Sequence, residues 1–373
     1  MKNYKKLGDY ITQRREKNTA ISLPICGVCR EGLIPPKQQD ADISLYNVFF
    51  KNDFIFNPAR MELNSITLNT EYDKAICSSL YEIFYINDTS KLLPEFLFVQ
   101  LKTDNFVRFC EFQGQGSVRE YCRFANISEY PVIVPDLKEQ EKIVNTYNSI
   151  TKRIQLKQKI NENLEKTAQC LFEKMWESDE CIEVELSKLA DLTSSKRVFF
   201  DEYVPEGIPF YRGGEITEKR QGFPISNPLY ITEESYNEKI EKYGVPNAGD
   251  ILITAVGTIG NSYMVTENDK FYFKDGNLIW FRNFQNNSNY IIYDFLNSKQ
   301  FKNKIEQISI GSTQKALTIS GLSKIKIRIP NNIVFSDYTR KSKKLQNSIQ
   351  DNNAELEKLF DLRNVIVSSI SGM

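Results

Sequence analysis

The 373 residues carry 48 basic and 48 acidic side chains, and 41% of them are hydrophobic, which is enough for two or three domains with apolar cores. The chain contains no histidine, which excludes Ser-His-Asp and Cys-His catalysis, a histidine general base and zinc sites that need imidazole. A net charge of zero neither supports nor excludes a nucleic-acid partner, because a local basic patch is enough for such binding.

The cysteines and the apolar segments indicate where the chain resides. Seven scattered cysteines without the spacing of a disulfide framework indicate a reduced, intracellular protein. Cys26-Gly-Val-Cys29 is a lone C-x-x-C pair, for which we expect a strand and a turn, because a zinc ribbon needs four ligands. No apolar stretch approaches the roughly 18 residues of a membrane helix, and the first residues lack the apolar core of a signal peptide. We therefore expect a cytoplasmic protein with no metal site and no membrane partner.

The first 135 residues read as a mixed, strand-rich segment. Aromatic and β-branched residues are dense at Val48–Phe50, Asp53–Phe56 and Ser79–Ile86, which is typical of strands. Pro94 opens a helical pattern that we expect to continue as one helix towards Phe109.

A long helix is predicted from Asp136 to about Trp176, since no glycine or proline interrupts this stretch. Asp136 and Glu139 have the spacing of a capping box. About forty residues of helix would span about 60 Å. The apolar residues alternate in steps of four and three, as in a coiled-coil seam, with a register shift expected near Lys157. The seam residues are Ile143, Tyr147, Ile150, Ile154, Ile160, Leu164, Ala168, Leu171 and Met175.

The second half repeats this organisation. Strands are predicted at Ile251–Thr254, Phe271–Phe273 and Leu278–Phe281, with a hairpin turn at Gly257–Gly260 and one helix from Tyr290 to Ile308. A final helix is predicted from about Ser336 to Ile370, and Asn352 in its seam is a candidate for setting the register of the helix pair. Its seam residues are Leu345, Ile349, Asn352, Leu356, Leu359, Arg363, Ile366 and Ile370.

The two halves carry the same landmarks at a constant distance. Gly311 follows Gly116 by 195 residues, and Pro330 follows Pro135 by 195 residues. Each helix has an apolar stripe that must be covered, so we expect the two helices to pack antiparallel, with a globular head at each end and the residues before Lys6 near the end of the second helix. A two-headed molecule fits a target with its own approximate two-fold symmetry, of which duplex DNA is the commonest.

The predicted fold class is therefore α+β. Two mixed, strand-rich recognition domains are joined by two long antiparallel coiled-coil helices with pseudo-two-fold symmetry. The expected boundaries are residues 1–135 for the first domain, 136–180 for the central helix, 181–330 for the second domain and 331–373 for the last helix.

Motifs for catalysis are missing or incomplete. The sequence has no G-x-x-x-x-G-K-[ST] nucleotide loop. Asn57-Pro58-Ala59-Arg60 begins like the N-P-P-[YF] motif of adenine methyltransferases but lacks the second proline and the aromatic residue. Pro135-Asp136 could begin a nuclease motif, yet a helix cap explains it. We therefore predict no catalytic residue in this chain.

Donors suited to duplex DNA are present in both halves. Arginine and glutamine can make bidentate contacts to guanine and adenine edges, and lysine mostly holds phosphate. The candidate DNA-binding residues are Arg14, Arg15, Arg60, Gln113, Gln115, Ser117, Arg119, Arg123, Lys196, Arg197, Arg212, Lys219, Arg220, Ser312, Thr313, Gln314 and Lys315.

Several short motifs, repeated twice in the same order, resemble those of the specificity subunits of type I restriction-modification systems. The resemblance spans essentially the whole chain. Asn52 stands where the family usually has glycine, Asp136 replaces a proline, and the start of the second helix at Asn331–Phe335 departs from the motif. The matching segments are Lys6–Ile11, Lys188–Leu192, Asn52–Arg60, Pro135–Ile143, Glu206–Ile216, Gly249–Thr254 and Gly257–Gly260.

This resemblance implies that each recognition domain reads one half of a bipartite, asymmetric site in double-stranded DNA. The helices would act as a ruler for the spacer and dock two methyltransferase subunits, and through them nuclease and translocase subunits. Cofactors would be absent from this chain, with S-adenosylmethionine, ATP and Mg²⁺ in the partner subunits. The residues implied in packing or docking are Ile143, Ile150, Ile154, Leu164, Leu171, Leu345, Ile349, Asn352, Leu356, Leu359 and Ile366.

Two alternatives remain open at this point. The chain could be a non-catalytic coiled-coil adaptor that joins proteins without sequence-specific DNA binding. It could also be an enzyme fragment split from a fused methyltransferase, although it lacks the motifs for a methyl donor. Target bases and spacer length are not encoded in any recognisable way.

Overall fold

The computed structural model describes residues 4–20, 22–30, 32–36, 42–114, 121–178, 181–308 and 316–372. The chain forms two compact units: the first comprises residues 1–152 and 361–373, and the second comprises residues 153–360. The first unit is therefore built from two separate stretches of sequence, whereas the second is continuous.

The first unit combines ten strands with helices. Its strands are β1 Lys5–Lys6, β2 Ile11–Arg14, β3 Ile25–Cys29, β4 Gly32–Ile34, β5 Asn47–Phe50, β6 Phe54–Phe56, β7 Ile66–Leu68, β8 Lys74–Cys77, β9 Glu82–Ile86 and β10 Pro131–Val132. Its helices are α1 Pro94–Gln100, α2 Asp104–Gly114, α3 Phe124–Ser128 and the first part of α4 Leu137–Trp176.

The second unit repeats this inventory. Its strands are β11 Cys181–Glu185, β12 Asp191–Thr193, β13 Tyr203–Val204, β14 Ile208–Tyr211, β15 Leu229–Ile231, β16 Ile251–Thr254, β17 Ser262–Met264, β18 Tyr272–Phe273, β19 Leu278–Arg282 and β20 Lys326–Pro330. Its helices are α5 Gly213–Arg220, α6 Glu233–Tyr243, α7 Asn289–Leu296, α8 Lys299–Ile308, α9 Ile319–Ser323 and most of α10 Asn332–Gly372.

Each unit contains an antiparallel sheet of four strands with the same order. This order is β2-β9-β6-β7 in the first unit and β12-β19-β16-β17 in the second. A second sheet contains one antiparallel and one parallel pair around a shared strand: β3 pairs with β4 and β8, and β14 pairs with β15 and β18. The two second sheets differ at their edges, because β5 joins β8 in the first unit whereas β13 joins β15 in the second. The expected α+β class is thus confirmed.

Alternation along the central strands builds three layers in each unit. Phe54, Phe56 and Phe84 share an apolar cluster with the helices α1 to α3, whereas Ile55 and Ile83 pack with buried residues of the second sheet. Successive side chains of a strand point to opposite faces, so one sheet can be covered on both sides. In the second unit, alternate residues of β16 and β19 divide in the same way between two clusters.

The predicted strands are present, but several others were not recognised. Val48–Phe50, Asp53–Phe56 and the end of Ser79–Ile86 correspond to β5, β6 and β9. The unrecognised β8 is short and contains two small residues, and its partner β3 in the parallel pair is distant in sequence. Cys26 and Cys29 lie on β3, as the strand interpretation of the C-x-x-C pair requires.

The helical patterns predicted from Pro94 to Phe109 and from Tyr290 to Ile308 each form two helices. These are α1 and α2 in the first unit and α7 and α8 in the second. The Thr103 Oγ1 accepts from Phe106 N at 3.3 Å, and the Ser298 Oγ accepts from Phe301 N at 3.2 Å, so each hydroxyl caps a new helix. Ser298 follows Thr103 by 195 residues, the same interval as the landmarks above. The prediction of one continuous helix was wrong because an apolar pattern does not show where a hydroxyl interrupts it.

A buried aspartate closes the same turn in both units. The Asp53 Oδ2 accepts from Phe50 N at 2.8 Å, and the Asp250 Oδ2 accepts from Asn247 N at 2.9 Å. The residue before each aspartate has a positive φ, 66° at Asn52 and 88° at Gly249. Glycine reaches this region without steric cost and asparagine tolerates it, which explains why Asn52 can stand where the family motif has glycine.

The seam of α4 runs without the register shift that we expected near Lys157. Ile154, Asn161, Ala168 and Met175 are buried at intervals of seven residues, while Ile160 is 45% exposed. Asn161 therefore occupies the seam position that the sequence analysis gave to Ile160. The shift was inferred because the polar Lys157 and Asn161 concealed a continuous heptad pattern.

In the second unit, residues of α4 and α10 pack antiparallel around a polar layer. Asn352 Nδ2 donates to Asn161 Oδ1 at 2.9 Å, and Asn161 Nδ2 donates to Asn353 Oδ1 at 2.7 Å. Lys157 Nζ donates to Asn352 Oδ1 at 2.8 Å. Arg153, nearer the start of α4, contacts Glu355, farther along α10, as antiparallel helices require. The predicted seam residues of α10 are all buried or half-buried.

A buried carboxyl group fastens α10 to α7. Asp294 Oδ2 accepts from Tyr338 Oη and Ser342 Oγ, each at 2.5 Å, and Asp294 Oδ1 accepts from Gln346 Nε2 at 3.1 Å. The three donors lie four residues apart on one face of α10. Complete burial raises the pKa of Asp294 to about 6.

The starts of both long helices are capped by side chains. Asp136 Oδ1 accepts from Glu139 N at 2.9 Å, and Asn331 Oδ1 accepts from Val334 N at 3.1 Å. Asn331 therefore caps α10, although its segment departs from the family motif. Helix α10 begins at Asn332 rather than near Ser336. None of the helices described here is long and apolar enough to cross a membrane.

In the first unit, β1 pairs antiparallel with β10. Tyr4 and Ile370 line one small cavity of about 30 Å³, so Tyr4 lies beside the end of α10, as predicted, and residues 1–3 lie outside the described residues.

Candidate nucleic-acid interface

In the first unit, several predicted donors converge around Glu82. Glu82 accepts from Gln13 Nε2 at 3.2 Å and from Arg123 Nη1 at 3.4 Å, and Arg15 Nε donates to Gln13 Oε1 at 2.8 Å. Phe124 N also donates to Glu82 Oε2 at 2.7 Å. The strands β2 and β9 and the start of α3 thereby bring Arg15 and Arg123 onto one surface, where both are exposed.

The end of α2 and a short 3₁₀ helix lie near the same surface. Asn126 Nδ2 is 3.5 Å from Gln113 Oε1, which lies near the end of α2. Cys122 N donates to Pro58 O at 3.0 Å, which places the 3₁₀ helix Pro58–Leu63, with exposed Arg60, next to Cys122. The structure thus brings Arg15, Arg60 and Gln113 towards Arg123. The candidates Gln115, Ser117 and Arg119 lie outside the described residues.

Arg14 is held inside the unit rather than projecting from it. Its Nε donates to Asp53 Oδ2 at 2.6 Å and its Nη2 donates to Asp53 Oδ1 at 3.1 Å. The guanidinium lies between the rings of Phe50 and Tyr85, at 4.7 and 4.6 Å from their centroids. Burial raises the pKa of Asp53, although the hydrogen bonds from Arg14 and Phe50 N oppose this effect. Arg14 is therefore half-buried and paired with Asp53, whereas Arg15 is exposed.

In the second unit, three predicted donors meet where β14 and β18 end. Tyr211 and Phe273 are register partners in this parallel pair, so Arg212 follows one strand where Lys274 follows the other. Lys196 N donates to Tyr272 Oη at 2.9 Å, and Arg197 Nε lies 3.2 Å from Asp275 Oδ2. Lys196, Arg197 and Arg212 are therefore gathered at one end of the second sheet. Arg212 also hydrogen-bonds Glu215, the third residue of α5.

Two other candidates lie elsewhere in the second unit. Lys219 Nζ is 2.8 Å from Asp269 Oδ1 and sits between the rings of Tyr211 and Tyr263. Arg220 lines a cavity of about 630 Å³ that α4, α5 and α8 enclose. The candidates Ser312, Thr313, Gln314 and Lys315 lie outside the described residues.

Leu317, in the described part of the second unit, is hydrogen-bonded as Cys122 is in the first unit. Leu317 N donates to Ala255 O at 2.8 Å, next to the hairpin loop with Gly257 and Gly260. Cys122 N and Pro58 O make the equivalent bond in the first unit, and Leu317 follows Cys122 by 195 residues. The predicted hairpin turn at Gly257–Gly260 is confirmed, since β16 and β17 pair antiparallel on either side of it.

Sequence reasoning overlooked three exposed residues of the second unit. Lys274 is exposed beside Arg212 in the parallel pair. Phe199 and Phe200 follow Lys196 and Arg197 and are 60% and 89% exposed. Two adjacent aromatic residues after a Lys-Arg pair, outside any regular apolar pattern, were the available signal.

Comparison with known proteins gives concordant results for both halves. The model of the type I restriction modification DNA specificity domain matches residues 36–166 and again residues 180–333. S.HindORF215P of Haemophilus influenzae, named as a type I restriction enzyme specificity subunit, is 29% identical over 266 residues, or 66% of this chain and 63% of its own length. The type I restriction enzyme HindI specificity subunit of the same organism is 26% identical over 111 residues, or 29% of this chain and 24% of its own. The chain thus matches less than two thirds of the length of these relatives.

A solved structure has the same fold. The crystal structure of a type I restriction-modification system S subunit from M. genitalium covers 99% of this chain and 95% of its own, with a TM-score of 0.59 and 16% sequence identity. Because the family model matches two segments that together exceed half of the chain, this protein belongs to the family of type I restriction modification DNA specificity domains.

Proposed function

We propose that this protein is the DNA-specificity subunit of a type I restriction-modification complex in the bacterial cytoplasm. It reads a bipartite target in double-stranded DNA and supplies no catalytic group of its own. In this role it directs DNA modification and the defence against foreign DNA.

The observation that supports this proposal most directly is the duplication of one sheet architecture with different surface donors. Both units have the same order of strands in the first sheet, and Cys122 and Leu317 make equivalent hydrogen bonds in the two units. The donors differ: exposed Arg15, Arg60 and Arg123 in the first unit, and exposed Lys196 and Arg197 with half-buried Arg212 in the second. Two scaffolds of one design with unlike side chains suit a target with two unlike halves.

The long helices provide the remaining parts of the proposed function. Helices α4 and α10 have seams of buried residues, and other faces retain exposed apolar side chains such as Leu156 and Leu362. We propose that these helices fix the spacer and dock two methyltransferase subunits, through which nuclease and translocase subunits join. S-adenosylmethionine, ATP and Mg²⁺ then belong to those partners, and the methyltransferase flips the target adenine out of the duplex.

A methylome tests the proposal. The chain is expressed together with its methyltransferase subunit in a host without DNA methylation, and modified adenines are read by single-molecule sequencing. We expect one bipartite motif with a fixed spacer that is present only when this chain is included. The control omits this chain while keeping the methyltransferase subunit.

A different outcome of these measurements would contradict the proposed function. A stable complex of the two proteins without any methylated motif and without sequence-dependent DNA binding would favour a coiled-coil adaptor. Binding that weakens with salt but retains its base preference would instead agree with the proposal, because released counterions weaken every phosphate contact whereas base contacts remain specific.

A further inference from the structure

Two adjacent phenylalanine rings, Phe199 and Phe200, are exposed in the second unit and closely follow Lys196 and Arg197 in the sequence. Phe199 is 60% exposed and Phe200 is 89% exposed, whereas their neighbour Val198 is buried in an apolar cluster with Phe210 and Tyr272. Exposed aromatic rings that are contiguous with each other and surrounded by polar groups commonly mark a contact surface. Their exposure therefore requires an explanation other than packing.

The backbone that carries these rings is firmly anchored on both sides. Ser194 Oγ donates to Leu278 O at 3.0 Å, and Ser195 Oγ donates to Phe273 O at 2.6 Å. On the other side, Phe199 N donates to Glu202 Oε2 at 2.7 Å and caps the short helix Phe200–Glu202. The rings are thus presented from a scaffold that is already ordered, so little conformational entropy is lost when a ligand contacts them.

The ring of Phe200 also packs against the ring of Tyr203. Its ring makes an edge contact with Tyr203 at a centroid distance of 5.9 Å, and Tyr203 packs on buried Phe210 at 5.4 Å. This chain of rings leads from the core to the exposed Phe200. Because the Phe200 ring packs on another ring in this way, it can contact a ligand without rotating back onto the protein surface.

The charges around the rings suit a polyanion with exposed bases. Lys196 and Arg197 precede them by two to four residues, and Arg197 is 68% exposed while it contacts Asp275. Glu202 is paired internally with Lys239 Nζ at 3.2 Å. The remaining carboxylate, exposed Asp201, stands beside Phe200. A carboxylate in this position can accept from a cytosine amino group, while the lysine and arginine side chains hold phosphate.

The first unit has no equivalent of this feature. Its corresponding connection from β2 to β3 covers residues 15–24 and contains no aromatic residue. The connection in the second unit is longer and includes the additional strand β13. The rings therefore lie where two otherwise similar units diverge, which is where residues that distinguish the two halves of a target are expected.

From these observations we propose that Phe199 and Phe200 form an aromatic wedge that stacks on bases of duplex DNA in the half-site read by the second unit. Apolar side chains inserted between base steps unstack them and bend the duplex, and the cost depends on the sequence, so such a wedge contributes to specificity. This inference rests on the proposed function, because it assumes that the second unit binds duplex DNA.

The test uses the full chain in complex with its methyltransferase subunit and a duplex that carries the motif found in the methylome. The variants are F200A and F199A/F200A, with F200W as the conservative replacement. The control is I182A, because Ile182 is 67% exposed in the same unit but lies on β11. Dissociation constants are measured for the target and for an unrelated duplex, and 2-aminopurine at successive positions reports unstacking.

We expect F199A/F200A to weaken target binding by about tenfold or more, since stacking on one base contributes about 1–3 kcal/mol and tenfold corresponds to about 1.4 kcal/mol. Binding to the unrelated duplex should change little, F200W should keep most of the affinity, and I182A should bind as the wild type does. In the wild type, 2-aminopurine fluorescence should change at one step of the second half-site, and this change should disappear in F199A/F200A.

Two results would overturn the wedge. Wild-type target affinity and an unaltered 2-aminopurine profile in F199A/F200A would exclude it, and a weaker complex with the methyltransferase subunit would then identify the rings as a protein contact. An equal loss of affinity for both duplexes would show a general rather than a sequence-dependent contact. If the wild-type complex itself shows no preference for any sequence, the proposed function fails before the wedge is examined.

Discussion

At the scale of single residues, the turn before each buried aspartate shows how one backbone requirement is met by two different side chains. Asn52 and Gly249 both have positive φ, and the aspartate that follows each of them accepts a backbone N–H from three residues earlier. Burial raises the pKa of Asp250 as it does that of Asp53, although hydrogen bonds from Asn247 N and the Trp280 indole oppose the effect. The conformation, rather than the identity of the side chain, is therefore what the motif preserves.

This requirement predicts the effect of substitutions at Gly249. An added Cβ would lie 3.2 Å from Asn289 Nδ2, and alanine at φ 88° is strained. We expect G249A to lower the free energy of unfolding of the second unit by about 1–2 kcal/mol and G249N to be less destabilising. The measurement is urea unfolding followed by tryptophan fluorescence, which reports the second unit because both tryptophans, Trp176 and Trp280, belong to it.

The matched control is G214A, since Gly214 lies in the first turn of α5 with open space around its Cα. Alanine there should be neutral or slightly stabilising, because it lowers the entropy of the unfolded chain. Equal losses in G214A and G249A would refute the role of the left-handed conformation.

At the scale of elements, the attachment of α10 depends on one buried carboxyl group. Asp294 receives three hydrogen bonds from α10, and no cation contributes to the effects that set its pKa near 6. Ionising Asp294 inside the protein is therefore unfavourable, so the free energy of unfolding must depend on pH.

The sign of this dependence follows from the raised pKa. The folded state keeps the proton up to about pH 6, whereas the unfolded chain releases it near the ordinary pKa of 3.8. The contribution of Asp294 to stability is therefore complete below pH 4 and declines through pH 6, by about 3 kcal/mol in total at about 1.4 kcal/mol for each pH unit. We expect D294N, which still accepts from Gln346, to lack this decline.

Urea unfolding of wild type and D294N between pH 4 and 7 measures the difference directly. The control is D337N, because Asp337 lies on α10 as well but is exposed and paired with Arg340. A constant difference between wild type and D294N across this range would contradict the assigned pKa.

The helices and strands also show which structural features could be predicted from the sequence and which could not. The long helices and the central strands were predictable, since periodicity and β-branched residues are local signals. The breaks at Thr103 and Ser298 were not, because an apolar pattern does not show where a hydroxyl interrupts a helix. The seam position of Asn161 and the pairing of Arg14 with Asp53 were not either, because each depends on a partner distant in the sequence. The possible role of Asn352 in setting register gains a named partner in Asn161 and stays a prediction.

At the scale of the whole molecule, the two units should behave as exchangeable modules. Replacing residues 1–135 with the first domain of another family member should change one half of the target motif and leave the other half and the spacer unchanged. The junction must preserve the cluster in which Ile143, Val144 and Ile370 pack with that domain. The methylome of the chimera provides the measurement.

The reciprocal exchange of residues 181–330 serves as its control and should change only the other half of the motif. A chimera in which both halves change together would be incompatible with modular recognition.

The division of the first unit into two stretches has a consequence for synthesis. Ile366, Val367 and Ile370 belong to the apolar cluster of that unit, yet the 208 residues of the second unit are translated before them. At about 5–20 residues per second, the ribosome needs on the order of 10–40 s to traverse them. The nascent first unit must therefore wait with an incomplete core, whereas the second unit can finish folding as soon as it emerges. The first unit thus begins to be translated first but completes its apolar core last.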